Sequence, residues 1–200
     1  MLSFNLSDED GELLVKEVRK IATEFIKTGH KLQLDEKLRV KFSFEAGIFV
    51  TLNSKNDLRG CIGFPTPQRL NKALPDAVIA AATQDPRFPP VTPDELDDIT
   101  FEVTVLTPPQ EILGDSLQLP HKIKVGRDGL IVRYGHHSGL LLPQVPVEYG
   151  WSELEFLEHT CQKAGLPKDS WMEKQAKIFS FEGIIFKEER PHGKVVRVQL

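Results

Sequence analysis

Apolar residues at Leu14, Val18, Ile21, Ala22, Phe25 and Ile26 recur at helical spacing and predict an amphipathic helix. Ser7 followed by Asp8, Glu9 and Asp10 predicts its capped start, and Gly29 its stop. The period then changes to two. Val40, Phe42 and Phe44 alternate with polar residues, Glu45-Ala46-Gly47 reads as a turn, and Ile48, Val50 and Leu52 alternate again, so a hairpin is expected. The polar run Asn53-Ser54-Lys55-Asn56-Asp57 leads into a third short strand, and strands in such close succession read as an antiparallel sheet.

Helical spacing returns with Leu70, Leu74, Ala77, Val78 and Ala81, predicting a second helix over 68–84 with Pro75 marking an offset start or a kink. The prolines of Asp85-Pro86-Arg87-Phe88-Pro89-Pro90 end it. Ile99, Phe101, Val103 and Val105 predict a half-buried strand, and the pattern weakens between Pro108 and Pro120. Ile123 and Val125, then Leu130 and Val132 about an Asp128-Gly129 turn, read as a further hairpin that forms a second small sheet with the segment near Leu140–Leu142. Ser152 with Glu155 forms a capping box for a helix carrying Phe156, Leu157, Thr160, Cys161 and Ala164, closed by Gly165. Ile178 to Phe186 suggests a final buried strand, and Val195–Val198 a short alternating piece. Helices mixed with mainly antiparallel strands, without βαβ regularity, give an α+β class.

At 200 residues and 40% apolar content the chain can bury one core, or a main core with a smaller satellite. A net charge of −4 argues against general nucleic-acid binding. A local basic patch at Lys37, Arg39 and Lys41 stays open beside the plainer reading of a solvated strand face. Met1 to Leu6 lacks the pattern of a signal peptide, and nowhere do about 18 apolar residues run together, so no membrane span is expected. Two cysteines, Cys61 and Cys161, fit reduced thiols, and the cytoplasm is the expected compartment.

The candidate chemistry centres on Leu58-Arg59-Gly60-Cys61-Ile62-Gly63. Glycine is disfavoured inside a strand, so Gly60 and Gly63 imply a close approach to the backbone there. In an extended chain Arg59 and Cys61 share a face, where a guanidinium would favour thiolate over thiol. A packed, inert thiol fits the pattern equally, and Cys161 on its apolar stripe is read as core. Asp85 and Arg87 in the proline-bound loop form either an anion grip or an internal pair that fixes the loop. His136 and His137, bracketed by glycines, form a solvated loop or serve a proton-transfer or metal role. Gln144 and Glu148 interrupt the apolar run 140–148 and either cap it or line a cleft. No P-loop, dinucleotide-binding glycine pattern, zincin helix, EF-hand or paired CxxC occurs, so no motif assigns a cofactor or a metal.

The hexapeptide 58–63 resembles the signature of the AMMECR-type domain family. Asp85-Pro86-Arg87-Phe88-Pro89-Pro90-Val91, Glu102-Val103-Thr104-Val105-Leu106, Gly126-Arg127-Asp128-Gly129-Leu130-Ile131-Val132, Leu141-Leu142-Pro143-Gln144-Val145, Glu148-Tyr149-Gly150-Trp151 and Cys161-Gln162-Lys163-Ala164-Gly165-Leu166 are similar to it as well. The resemblance implies an α+β domain over 1–187, its larger subdomain assembled from both chain ends and its smaller one from the middle, with the hexapeptide near their interface and a polar tail over 188–200. It carries no settled activity; the family's association with radical-SAM and Memo-like proteins implies work beside an enzyme system. Two readings of this chain follow. In one, an enzyme or enzyme component uses Cys61 as thiolate, Arg59 and Arg87 for anion recognition and a histidine as proton carrier. In the other, the same residues form a non-catalytic module for a partner protein or a small anion. Nucleic-acid association is a third, weaker reading.

Overall fold

The computed structural model describes residues 6–55 and 57–198. The leading residues 1–5, Asn56 of the polar turn, and residues 199–200 of the tail lie outside them. The chain divides into two compact units. Unit 1 comprises residues 1–106 and 184–199, and unit 2 comprises 107–183 with residue 200.

Unit 1 opens with α1 (Asp8–Thr28), where Ser7 and Asp10 form the reciprocal capping box and Gly29 closes the end at φ +75°. The short helix α2 (Glu36–Lys41) follows, then β1 (Glu45–Ser54), β2 (Asp57–Arg69), α3 (Leu70–Thr83) and β3 (Ile99–Leu106). The sheet runs β2-β1-β3-β7, where β7 is Lys177–Glu188, and β8 (Val195–Val198) pairs antiparallel with β7 through Ile185↔Val198 and Lys187↔Val196. Leu14, Val18 and Ile21 of α1 and Leu74, Ala77, Val78 and Ala81 of α3 cover one sheet face, meeting Ile48, Val50, Leu52, Phe101 and Val103 in a continuous core. Burial of this apolar surface is the main driving term for the unit. Arg19 of α1 forks onto Glu188 at 2.6 and 2.5 Å and stacks over Phe101, while Glu188 also accepts the Phe101 N–H at 3.0 Å, tying helix and strands together.

Unit 2 contains β4 (Gln110–Glu111), α4 (Leu119–Lys122), β5 (Asp128–Tyr134), β6 (His137–Leu141), α5 (Gln144–Tyr149) and α6 (Glu153–Lys163), with residues 177–183 of β7 between β4 and β5. Its core gathers Leu119, Ile123, Leu130, Val132, Phe156, Leu157, Cys161, Trp171 and Ile178.

The α+β class, with mainly antiparallel pairing, is what the structure shows. Several local expectations are corrected. The run Val40-Phe42-Phe44 is no strand: Asp35 caps α2 by accepting the Leu38 N–H, and the Phe42 N–H closes the helix on Leu38 O. Val40 is 71% exposed and Phe42 1%, a helical offset and not a shared strand face. Glu45-Ala46-Gly47 is consequently the start of β1, and the hairpin is β1–β2. The Asp128-Gly129 turn is likewise the start of β5, because the Asp128 carboxylate is used backwards, accepting the Lys124 N–H at 2.8 Å. The turn lies at Gly135-His136, closing the β5–β6 hairpin at Tyr134↔His137. The segment read as a polar tail holds the end of β7 and the paired strand β8.

Candidate functional site

β2 is the edge strand of the unit 1 sheet, and Cys61 lies within it opposite Thr51 of β1, which in turn lies opposite Glu102 of β3. The neighbouring rows, Gly60–Leu52–Phe101 and Ile62–Val50–Val103, carry the core. Alternation therefore puts Cys61, Thr51 and Glu102 together on the face away from that core. The close approach implied by the glycines is real. A Cβ on Gly60 would come 2.2 Å from the carbonyl oxygen of Ala81, so α3 can lie against β2 only with glycine there. A Cβ on Gly63 would meet Ile48 O at 2.2 Å and the Phe49 ring at 2.5 Å.

An edge strand exposes unpaired peptide groups. At Cys61 two side chains from the loop after α3 take that role. Asp85 Oδ2 accepts the Cys61 N–H at 2.8 Å, and Arg87 Nη2 donates to the Cys61 carbonyl at 3.3 Å. The two are locked together by Nε to Oδ1 at 2.9 Å and Nη2 to Oδ2 at 2.6 Å. Asp85 is 5% exposed, and the Arg87 guanidinium holds its carboxyl far below the usual range despite burial. The Thr51 hydroxyl lies 3.3 Å from Cys61 Sγ as donor. Side chains thus engage the nitrogen, the oxygen and the sulfur of one half-buried cysteine.

Arg59 does something else. Leu52 pairs with Gly60 and Asn53 with Leu58, so Arg59 is the extra residue of a bulge, a feature that re-aims a side chain. Its guanidinium forks onto Glu95 at 2.7 and 3.1 Å and donates to Pro89 O at 2.9 Å and Pro90 O at 3.4 Å. Glu95, also bonded to Thr92, is held down to about 2. The expected activation of Cys61 by Arg59 is therefore corrected: the cation is saturated by a carboxylate. Burial pushes the Cys61 thiol up; the Thr51 hydroxyl and the Arg87 charge oppose the rise, and Glu102 and Asp85 add to it. Burial likewise pushes the Glu102 carboxyl up, against the charge of Lys187. The balance of these groups favours the protonated thiol over the thiolate.

The remaining sequence candidates belong to unit 2. His136 is exposed in the β5–β6 turn, and His137 Nδ1 lies 3.2 Å from Ala164 O, which accepts its proton. Gln144 and Glu148 sit on α5; Glu148 is exposed, and Gln144 buries its Oε1 without a partner among the described residues. Among the described residues no group of three or more His, Cys, Asp and Glu is placed to hold a metal. No described helix is long and apolar enough to cross a membrane. Thr51 and Glu102 were not singled out in the sequence; the signal available was their polar position in otherwise apolar alternating strands.

The AMMECR1 family model matches residues 15–186. The chain belongs to this family. It is 50% identical over 198 residues to a protein of Methanocella arvoryzae, covering 98% of this chain and 99% of that one. A protein of Thermococcus gammatolerans is 51% identical over 203 residues, covering 98% and 99%. The crystal structure of an uncharacterized protein from Pyrococcus horikoshii superposes with a TM-score of 0.88 at 50% identity, over 98% of this chain and 100% of that one. These names state no activity, so the reading of this AMMECR1 domain rests on the geometry around Cys61.

Proposed function

We propose that the AMMECR1 domain is a binding module whose unit 1 receives a small oxyanion beside Cys61, with Arg87 supplying the charge and the thiol remaining protonated. The observation that carries this reading is the fixing of all three polar atoms of Cys61 by Asp85, Arg87 and Thr51. Such preorganisation leaves little entropy to lose when a ligand docks. Arg87 keeps 53% of its side chain exposed, and its Nη1 has no protein partner among the described residues, so one edge of the fork faces outward. Arg59, by contrast, is 13% exposed and is engaged by Glu95 and the carbonyls of Pro89 and Pro90, which supports a role in holding the loop.

The test is calorimetric titration with sodium acetate and sodium phosphate as probes. Cys61→Ser is expected to retain binding. Arg87→Lys is expected to weaken it about tenfold, since a point charge cannot both hold Asp85 and present a second edge. Binding that survives Arg87→Lys but is lost in Cys61→Ser would overturn the reading. It would favour thiol chemistry instead, for which the Thr51 hydroxyl at Sγ is the supporting contact, because a donated hydrogen bond stabilises thiolate.

A further inference from the structure

Glu102 shares the sheet face of Cys61, and among the described residues it has neither an ion pair nor a hydrogen bond. Every other acidic side chain of unit 1 that is at least half-buried has a basic partner among the described residues. Asp10 faces Lys41, Glu17 faces Lys20 and Glu24 faces His30. Asp85 faces Arg87, Glu95 faces Arg59 and Glu188 faces Arg19. Glu102 is the exception, and it stands at the candidate site.

The fold gains nothing visible from this carboxyl. Glutamate is depleted in strands, and its neighbours Phe101 and Val103 already supply the core face of β3. A half-buried carboxyl without a partner carries a desolvation cost, which is felt here as a raised pKa. Lys187 of β7 opposes that rise through its charge, yet it is exposed and forms no ion pair with Glu102. A group held in this state is ready for a cation from outside the chain.

Strand register places the group. Cys61 pairs with Thr51 and Thr51 with Glu102, a row across β2, β1 and β3. Two interstrand spacings separate the Cys61 and Glu102 backbones by about 10 Å. Arg87 stands at the β2 end of the row, on the Cys61 carbonyl. Both charges are felt at the sulfur, with Arg87 favouring thiolate and Glu102 opposing it. Between these poles lie the Cys61 thiol and the Thr51 hydroxyl, which is already donated to Sγ. We propose that the ligand received beside Cys61 is a zwitterion, its oxyanion held by Arg87 and its ammonium by Glu102, with a short uncharged chain over Cys61 and Thr51. The inference rests on the oxyanion reading above and names its ligand class. An oxyanion alone would add negative charge to a face where Glu102 already stands unpaired; an ammonium removes that conflict.

Calorimetry on the full chain at neutral pH, with 4-aminobutyrate, butyrate and butylamine as probes, tests this. 4-Aminobutyrate is expected to bind at least about tenfold more tightly than butyrate or butylamine, as a charge-assisted contact at each end requires. Glu102→Gln should bring the ratio of 4-aminobutyrate to butyrate affinity down to about one, with a urea midpoint no lower than that of the wild type. Lys187→Met should raise the ratio, because the ligand ammonium then has no competing cation. A wild-type ratio near one, or a ratio that Glu102→Gln leaves intact, would overturn the inference while butyrate binding upholds the oxyanion reading. Butylamine binding as tightly as 4-aminobutyrate would overturn the paired-charge ligand. Failure of both butyrate and 4-aminobutyrate to bind would overturn the oxyanion reading and this inference together.

Discussion

Cys61 and Cys161 shift in the same direction for the same leading reason, yet they occupy different kinds of place. Burial pushes both thiols up, Cys161 to about 11. Cys161 is 0% exposed on α6, walled in by Phe156, Leu157 and Trp171. Cys61 is half-buried on the polar face of a sheet edge, with side chains holding its N–H, its carbonyl and its sulfur. Both neighbourhoods even share a construction device. Gly60 beside Cys61 admits the Ala81 carbonyl of α3, and Gly139 of β6 admits Ala164 at the end of α6, where a Cβ would come 2.4 Å from the backbone nitrogen. A raised pKa therefore does not separate a site from a core; the polar groups spent on positioning the residue do.

Access should separate the two thiols most sharply. Native protein treated with iodoacetamide is expected to label at Cys61 about a thousandfold faster than at Cys161, because the latter reacts only through opening of the unit 2 core. Peptide mass spectrometry over time reads both rates at once. Because its thiol is raised, Cys61 should label faster as pH climbs past 9, with no plateau near neutrality. Comparable native rates for the two residues would break the comparison outright.

The glycine device gives the next largest effect. Gly60→Ala places a methyl against rigid backbone at 2.2 Å, so β2 and α3 must part. A loss of about 3 kcal/mol is expected, at the upper end of overpacking penalties. Gly139→Ala should cost a similar amount in unit 2, where the backbone approach is nearly as close. Urea unfolding of each variant measures this, and a tolerated Gly60→Ala would remove the packing account of the hexapeptide.

How much of this arrangement was legible in the chain depends on the range of the interaction. The caps at Ser7 with Asp10 and at Ser152 with Glu155 are local and could be read directly. So could the α3 stripe and the alternation of β3. The six residues of α2 are too few for a period to declare itself, and Asp35 as a cap was outweighed by apparent alternation. The direction of Arg59 depends on a bulge, which reverses face without altering the sequence pattern. Thr51 and Glu102 join Cys61 only through strand register, and Arg19 meets Glu188 across 169 positions. Nothing short-range encodes those partners.

A pH titration sharpens the contrast on the side of Cys161. Its folded pKa, about 11, lies above the ordinary 9.0. The folded state therefore keeps a proton that the unfolded chain releases, and the corresponding stability is complete below pH 9 and lost as pH rises to about 11. The loss is about 2–3 kcal/mol at 1.36 kcal/mol per unit. The difference in unfolding free energy between wild type and Cys161→Ala should shrink by that amount between pH 9 and 11. The sign reverses for Asp85, whose depressed folded pKa gives stability present above the unfolded value near 4 and lost as pH falls below it. Asp85→Asn should flatten that acid limb.

The smallest expected effect is also the most discriminating for the role of the Cys61 sulfur. Serine at this position keeps the strand pairing, the Asp85 and Arg87 contacts to the backbone, and a hydroxyl within reach of Thr51. Cys61→Ser should therefore alter stability by less than about 0.5 kcal/mol, as for a substitution outside a packed core. A thiol that merely filled space would behave differently, because replacing it by a polar group would carry a desolvation cost of about 1–3 kcal/mol. The urea midpoint decides between them. An unchanged midpoint would show that the surrounding contacts hold the residue's position and do not depend on the sulfur for folding.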